Sequence, residues 1–264
     1  MDKFKFYVRK AFKTFNQMEM RVLPGNIAFF FVLAIIPIIT IVVLIASEFS
    51  ISMDSIIRVI CEFFPDEIST TLVDVISGKG FDTSVGLFNF VAFFVASNGT
   101  YAIINASNTL YQVSNNDILK DRIKSILLLF ILIFLIAFLI LISILSSKFM
   151  SYVVDKSTFG SVSTIFNIFI WPITSFLLYI NLKLIYTIAP SKRIESSSTT
   201  YGAIFTTVIW IIATVIFSSD LKYFANYNVV YGNLSSIIIL MMWLYIISYV
   251  FVLGIAINVT NMNK

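Results

Sequence analysis

Residues 233–258 read NLSSIIILMMWLYIISYVFVLGIAIN, without one charged side chain. A helix of that length rises about 39 Å at about 1.5 Å per residue, enough to cross the roughly 30 Å hydrocarbon core of a bilayer. Five more apolar stretches precede it, at 26–47, 85–104, 124–146, 164–188 and 201–218. Apart from Lys124 on the threshold of the third, Lys183 is the one charged residue in all six. The second is the most polar, because it turns to Ser97-Asn98-Gly99-Thr100. Barrel strands would alternate apolar and polar residues over segments of about ten, and these runs do not. The expected fold is all-α: a polytopic, six-transmembrane-helix bundle.

Composition points the same way. The 264 residues are 59% hydrophobic and 12% charged, with a mean hydropathy of +0.95, where a soluble domain carries roughly 25% charged residues. The first apolar run is too long for the core of a secretory leader, so it is expected to be retained. One cysteine, Cys61, excludes an internal disulfide.

Charge placement sets the expected orientation. Lys3, Lys5, Arg9, Lys10, Lys13 and Arg21 precede the first span; Lys120, Arg122 and Lys124 follow the second; Lys192 and Arg193 follow the fourth. The other side holds Glu48, Asp54, Glu62, Asp66, Glu67, Asp74 and Asp82, with few cations. Positive residues favour the cytoplasm, so both termini are expected there, in agreement with an even number of spans.

The domain reading is a cytoplasmic, amphipathic, basic segment over 1–25 and a single transmembrane domain over 26–260. In the first segment Phe4, Val8, Phe12 and Phe15 share a face, which suits a helix lying among headgroups or a basic flank that fixes topology. The outer loop, 48–84, is expected to hold two short amphipathic interfacial helices. Met53, Ile56, Ile57, Ile60 and Phe64 form one face; Ile68, Leu72, Val75 and Ile76 form the other, beyond Pro65-Asp66-Glu67. Pro37 and Pro172 fall inside spans, where proline removes a backbone hydrogen bond and bends the axis.

Ionisable groups inside a span are functional candidates. Lys183 either snorkels to the interface or faces an internal cavity. No histidine occurs, and no Asp or Glu falls within a span, which removes the usual parts of a proton relay, a His-ligated zinc site and a His-based catalytic site. No phosphate-binding P-loop is present. No catalytic residue, metal site or cofactor is expected, and no nucleic-acid partner. Neutral polar residues remain. Ser97, Thr100, Tyr101, Asn105 and Asn108 lie on one broad face of a helix, and Asn181 and Asn258 add amides to spans four and six. Such amides either bond helix to helix or line a hydrated path.

The stretch Ala225-Asn226-Tyr227-Asn228-Val229-Val230-Tyr231-Gly232-Asn233-Leu234 leads into a span with Trp243-Leu244-Tyr245 and Leu253-Gly254-Ile255-Ala256-Ile257-Asn258. It resembles the YihY/BrkB family of bacterial inner-membrane proteins, whose members also carry the names ribonuclease BN and virulence factor. Ala28-Phe29-Phe30 with Pro37, Asn108-Thr109-Leu110-Tyr111, Pro190, Gly202 and Trp210 match in order. The resemblance spans roughly residues 5–260 and implies a six-helix bundle of the plasma membrane. Pro37, Tyr231, Gly232, Trp243, Gly254 and Asn258 are its structural motif positions: Gly232 for a turn, Tyr231 for the outer aromatic belt, Gly254 for close helix approach. Two positions depart from the family: Ala34-Ile35-Ile36 stands where a Ser is common, and Ala256 stands where a Glu is common. Ribonuclease activity fits poorly with a chain that has no histidine and no soluble catalytic domain.

Two functional readings follow. One is a transporter or facilitator of a lipid-like or amphiphilic substrate without proton coupling. Its path would be lined by Asn98, Asn105, Asn108, Asn181 and Lys183, with Lys183 meeting a lipid phosphate. The other is a structural or assembly membrane protein acting through helix contacts. The partners expected are membrane lipids and either a membrane protein or a second copy of the chain.

Overall fold

The computed structural model describes residues 18–48, 52–63, 69–70, 73, 86–113, 117–134, 161–220 and 234–262. Among them there is helix and turn but no strand. In order these are α1 (Met18–Glu48), α2 (Met53–Phe63), α3 (Gly86–Leu110), α4 (118–134), α5 (Ser161–Ile188), α6 (Thr200–Asp220) and α7 (Leu234–Met262). Each of the six apolar stretches has its helix. Two of them, over Thr200–Phe217 and Ile238–Met262, are long and apolar enough to cross a membrane by length and composition within the described residues.

The boundaries differ from the expected ones where polar residues find partners in the bundle. α1 is described over Met18–Glu48, so residues 18–25 are helical and continuous with the first apolar stretch, and Met20 and Pro24 are buried there. Residues 1–17 lie outside the described residues. α3 runs to Leu110, six residues past the expected end, and carries Asn105 and Asn108 inside the helix. α4 starts six residues before the expected third span, which brings Asp121 into it; residues 135–146 lie outside the described residues.

The long helices alternate in direction. Met20 and Ile27 of α1 share a core cluster with Ala102–Ala106 of α3, while Ala34 sits with Ala96 further along. The hydrogen bonds Gly202–Asn258 and Trp210–Ile247 pair α6 with α7 in opposite directions. Asn108–Asp121 and Thr100–Ser125 do the same for α3 and α4. The starts of α1, α4 and α6 therefore share one end of the bundle with the ends of α3, α5 and α7.

α2 lies toward the other end. Its Ile56 and Ile60 are buried with Phe217, Ile239, Leu240 and Leu244, and Val73 packs against the same cluster. Met53, expected on that face, is exposed; Phe64, Ile68, Leu72, Val75 and Ile76 lie outside the described residues.

Two helices turn large apolar side chains outward, unlike the surface helices of a soluble protein. α6 exposes Tyr201, Ile204, Val208, Ile212 and Val215 at helical spacing and buries Gly202, Ala203, Thr206 and Thr207. α4 exposes Leu119, Ile123, Leu127, Phe130 and Phe134 on one face and buries Asp121 and Ser125 on the other, together with Leu128, Leu129 and Ile133. Lipid gives apolar side chains no reason to hide, so helices in it are held by close packing of small residues and by hydrogen bonds. Gly99 shows the packing: a Cβ there would sit 3.1 Å from the Phe31 ring of α1.

Candidate functional site

Two polar assemblies lie near the end of the bundle that carries the α3–α4 and α5–α6 connections. The first locks α5, α6 and α7. The Tyr186 hydroxyl donates to the Phe251 carbonyl at 2.9 Å and, its one proton committed, accepts from Thr206 Oγ1 at 2.7 Å. The Gly202 N–H donates to Asn258 Oδ1 at 2.7 Å, and Trp210 Nε1 donates to the Ile247 carbonyl at 2.9 Å. A Cβ on Gly254 would fall 2.1 Å from Thr206 Oγ1 and 2.2 Å from the Tyr186 hydroxyl oxygen; one on Gly202 would fall 2.2 Å from the Gly254 carbonyl oxygen. Glycine at both positions lets these backbones meet.

The second assembly joins α3, α4 and the turn after α5. Asn108 Nδ2 donates to Asp121 Oδ2 at 3.2 Å and to Ser191 Oγ at 3.1 Å. Its Oδ1 accepts the Ser191 N–H at 2.7 Å, while Ser191 Oγ donates to Asp121 Oδ1 at 2.7 Å. Every polar atom of the Asn108 side chain is thus used. Lys124 donates to the carbonyl of buried Pro190. Further along α4, Arg122 donates to Asn98 Oδ1 at 2.7 Å and to the Phe94 carbonyl at 3.3 Å, with its guanidinium 4.1 Å from the Phe94 ring centroid. Thr100 donates to the Ser125 carbonyl at 2.7 Å.

The turn after α3 holds Asn108 in register. Val113 N–H donates to the Asn108 carbonyl at 2.9 Å and Gln112 N–H to that of Thr109 at 3.1 Å, with Gln112 at φ 53°. That is a Schellman cap in which glutamine fills the left-handed position usually given to glycine. Beside it, burial pushes the Tyr111 hydroxyl up to about 12, so it stays protonated at neutral pH.

Between α3 and α4 opens a cavity of about 220 Å³, lined by Tyr101, Asn105, Asn108, Thr109, Val113, Ile118 and Asp121. The Asn105 side chain makes no hydrogen bond among the described residues; only its carbonyl is used, by Thr109 Oγ1 at 2.8 Å. Of its two aliphatic lining residues, Val113 and Ile118, the latter is 72% exposed and stands beside the exposed α4 stripe that runs from Leu119 through Ile123 and Leu127 to Phe130.

The amides expected to line one path separate into different settings. Asn98 is engaged by Arg122; Asn108, bonded to Asp121 and Ser191, lines the cavity together with Asn105. Asn181 is buried on α5 and donates back to the Leu177 carbonyl at 2.8 Å, with Oδ1 unpartnered among the described residues. Lys183 is half-buried, its Nζ 5.9 Å from the Tyr179 ring centroid. No hydrogen bond among the described residues joins Asn181 or Lys183 to the amides of α3. Pro37 lies within α1, Trp243 is half-buried against the α2 cluster, and Gly254 and Asn258 form the α6–α7 lock. Tyr231 and Gly232 lie outside the described residues.

Sequence reasoning missed Asp121 and Ser191. Asp121 is 6% exposed yet sits in a segment that reads as a basic loop. A signal existed: a lone acid among Lys120, Arg122 and Lys124, three residues after a helix-starting Ile118, is placed for the first turn of a helix.

The family described as Virulence factor BrkB matches residues 11–264. The chain is 28% identical over 261 residues to YfkH of Bacillus subtilis, named a ribonuclease-like protein, covering 96% of this chain and 94% of that one. It is 24% identical over 258 residues to a UPF0761 membrane protein of Vibrio vulnificus, covering 94% of this chain and 80% of the relative. An 82-residue segment, 31% of this chain and 30% of the relative, is 34% identical to a UPF0761 membrane protein of Coxiella burnetii. No solved structure matches.

Proposed function

The chain belongs to the virulence factor BrkB family of membrane proteins, and from that premise we propose that it facilitates the movement of an amphiphile in the bacterial plasma membrane. In this reading the six long helices cross the bilayer with both termini in the cytoplasm, and the amphiphile's polar group enters the α3–α4 cavity while its chains lie along α4. One observation carries it: a cavity lined by Tyr101, Asn105, Asn108, Thr109 and Asp121, with Val113 and the exposed Ile118, lies next to the exposed apolar stripe of α4. A polar pocket beside a lipid-facing surface suits a molecule with one polar and one apolar end. Of the residues expected to line a path, Asn105 and Asn108 line this cavity, and Asn181 and Lys183 are not among its lining residues. No catalytic step is assigned. Asp121, the one buried carboxylate among the described residues, is engaged by Asn108 and Ser191.

A second reading has its own support. Asn98, Thr100 and Asn108 are all spent on helix-to-helix hydrogen bonds, as expected of a membrane scaffold that works through partners and moves nothing. A photoactivatable phospholipid separates the two. Adducts on Tyr101, Val113 or Ile118, lost in Asn105→Leu, are the expected result. Adducts confined to the outer stripe at Ile123 and Phe130 would favour the scaffold.

A further inference from the structure

Asp121 is surrounded in sequence by Lys120, Arg122 and Lys124, and among the described residues it forms an ion pair with none of them. Lys120 pairs with Asp117. Arg122 is drawn along α3 to Asn98 and the Phe94 carbonyl. Lys124 reaches the Pro190 carbonyl. The carboxylate instead accepts one hydrogen bond from Asn108 and one from Ser191, two of roughly four that an ionised carboxylate accepts. It is buried, and it lines the cavity. Among the described residues no lysine or arginine lines that cavity, and the one formal charge on its wall is that of Asp121. Beside the carboxylate stand the free amide of Asn105 and the hydroxyls of Tyr101 and Thr109, all able to accept a hydrogen bond.

From this arrangement we infer that the cavity recognises a primary ammonium group, presented by an aminophospholipid headgroup or by a small free amine. The inference rests on the reading of the cavity as the amphiphile's polar site. An ammonium offers three donors to a surface of acceptors and brings a positive charge into hydrogen-bond contact with Asp121, which no described cation does. A headgroup bearing only phosphate would bring a second negative charge to the same space. None of the three neighbouring cations forms an ion pair with the carboxylate: Lys124, held at the Pro190 carbonyl, attracts it from a distance, and Lys120 and Arg122 are bonded to other groups.

The test is the lipid retained by the purified full-length chain, weighed by native mass spectrometry in an equimolar mixture of phosphatidylethanolamine and phosphatidylglycerol. The expected result is about tenfold more phosphatidylethanolamine, the worth of one charge-assisted hydrogen bond. Asp121→Asn should bring the ratio near one. Should that variant fail to fold, Asn105→Leu narrows the cavity without touching the Asn108–Asp121–Ser191 network and should also lose the preference. Phosphatidylcholine, whose quaternary nitrogen has no hydrogen to donate, should be retained no better than phosphatidylglycerol. Free ethanolamine displacing the bound lipid at comparable concentration would assign the site to a soluble amine; displacement only at large excess assigns it to the headgroup. Equal retention of the two lipids by the wild-type chain, or a preference that survives Asp121→Asn, overturns the inference. If photoactivated lipid still marks the cavity in that case, the amphiphile path stands and only the ammonium assignment falls; if it never marks the cavity, the path itself falls.

Discussion

The backbone N–H of Gly202 donates to Oδ1 of Asn258 at 2.7 Å, and a Cβ on Gly202 would lie 2.2 Å from the Gly254 carbonyl oxygen. α6 and α7 thus meet backbone to backbone, with one amide satisfying a peptide group that α6 leaves free in its first turn. Asn258→Ala should destabilise the protein by about 1–2 kcal/mol, because the Gly202 N–H is then buried without a partner. Gly254→Ala should cost more, about 3 kcal/mol or above, since its Cβ would meet the Thr206 and Tyr186 oxygens at little over 2 Å and both are held by hydrogen bonds. Thermal unfolding in one detergent ranks the variants; Gly254→Ala as stable as Asn258→Ala would contradict the packing described.

Gln112 holds the left-handed position of the α3 cap at φ 53°. Its side chain is exposed, so glycine there relieves strain and loses little. Gln112→Gly should stabilise by about 0.5–1 kcal/mol. Gln112→Val should destabilise, because a β-branched residue resists positive φ. Thermal unfolding of the pair reads both signs.

Asn108 is the hub of the second assembly. Asn108→Ala removes two donors and one acceptor at once and leaves Asp121 with only Ser191. We expect a loss of about 2–3 kcal/mol, felt first as local opening at the junction. Limited proteolysis should cut within 111–117 and 189–199 well before the rest of the chain. Uniform protection of those turns would show that the network contributes little.

Cys61 is the only thiol in the chain and is exposed on α2. That makes it a native topology probe. With six spans and cytoplasmic termini, a membrane-impermeant maleimide should label Cys61 from the outer side. A cysteine placed at Ser196, in the α5–α6 turn of a Cys61→Ala background, should react only after the membrane is opened. Reversed labelling would invert the orientation, and labelling of both from one side would break the alternation.

The helices were legible because apolar runs of about twenty residues admit few other structures. Their ends were less so. Hydropathy stops counting at a polar residue, yet α3 continues through Asn105 and Asn108 because Asp121 and Ser191 satisfy Asn108. The same blindness hid Asp121: charge patterning reads net sign along a segment, and only the fold shows that its three basic neighbours make their hydrogen bonds to other groups. Gly254 was legible as a place of close approach, but Tyr186 and Thr206, the side chains that require it, are separated from it by dozens of residues. The amides of α3 and α5 are indistinguishable in sequence, and only the packing separates Asn105 in a cavity from Asn181 bonded to its own helix.

The central claim, that an amphiphile passes with its polar group in the α3–α4 cavity, is met most directly by movement of a fluorescent phospholipid between leaflets of vesicles holding the purified protein. Asn105→Leu and Lys183→Ala are measured beside the wild type. The account predicts movement well above the empty-vesicle rate, reduced several-fold by Asn105→Leu and left near wild type by Lys183→Ala. Movement at the empty-vesicle rate, or movement lost with Lys183 and kept with a blocked Asn105 site, would contradict it.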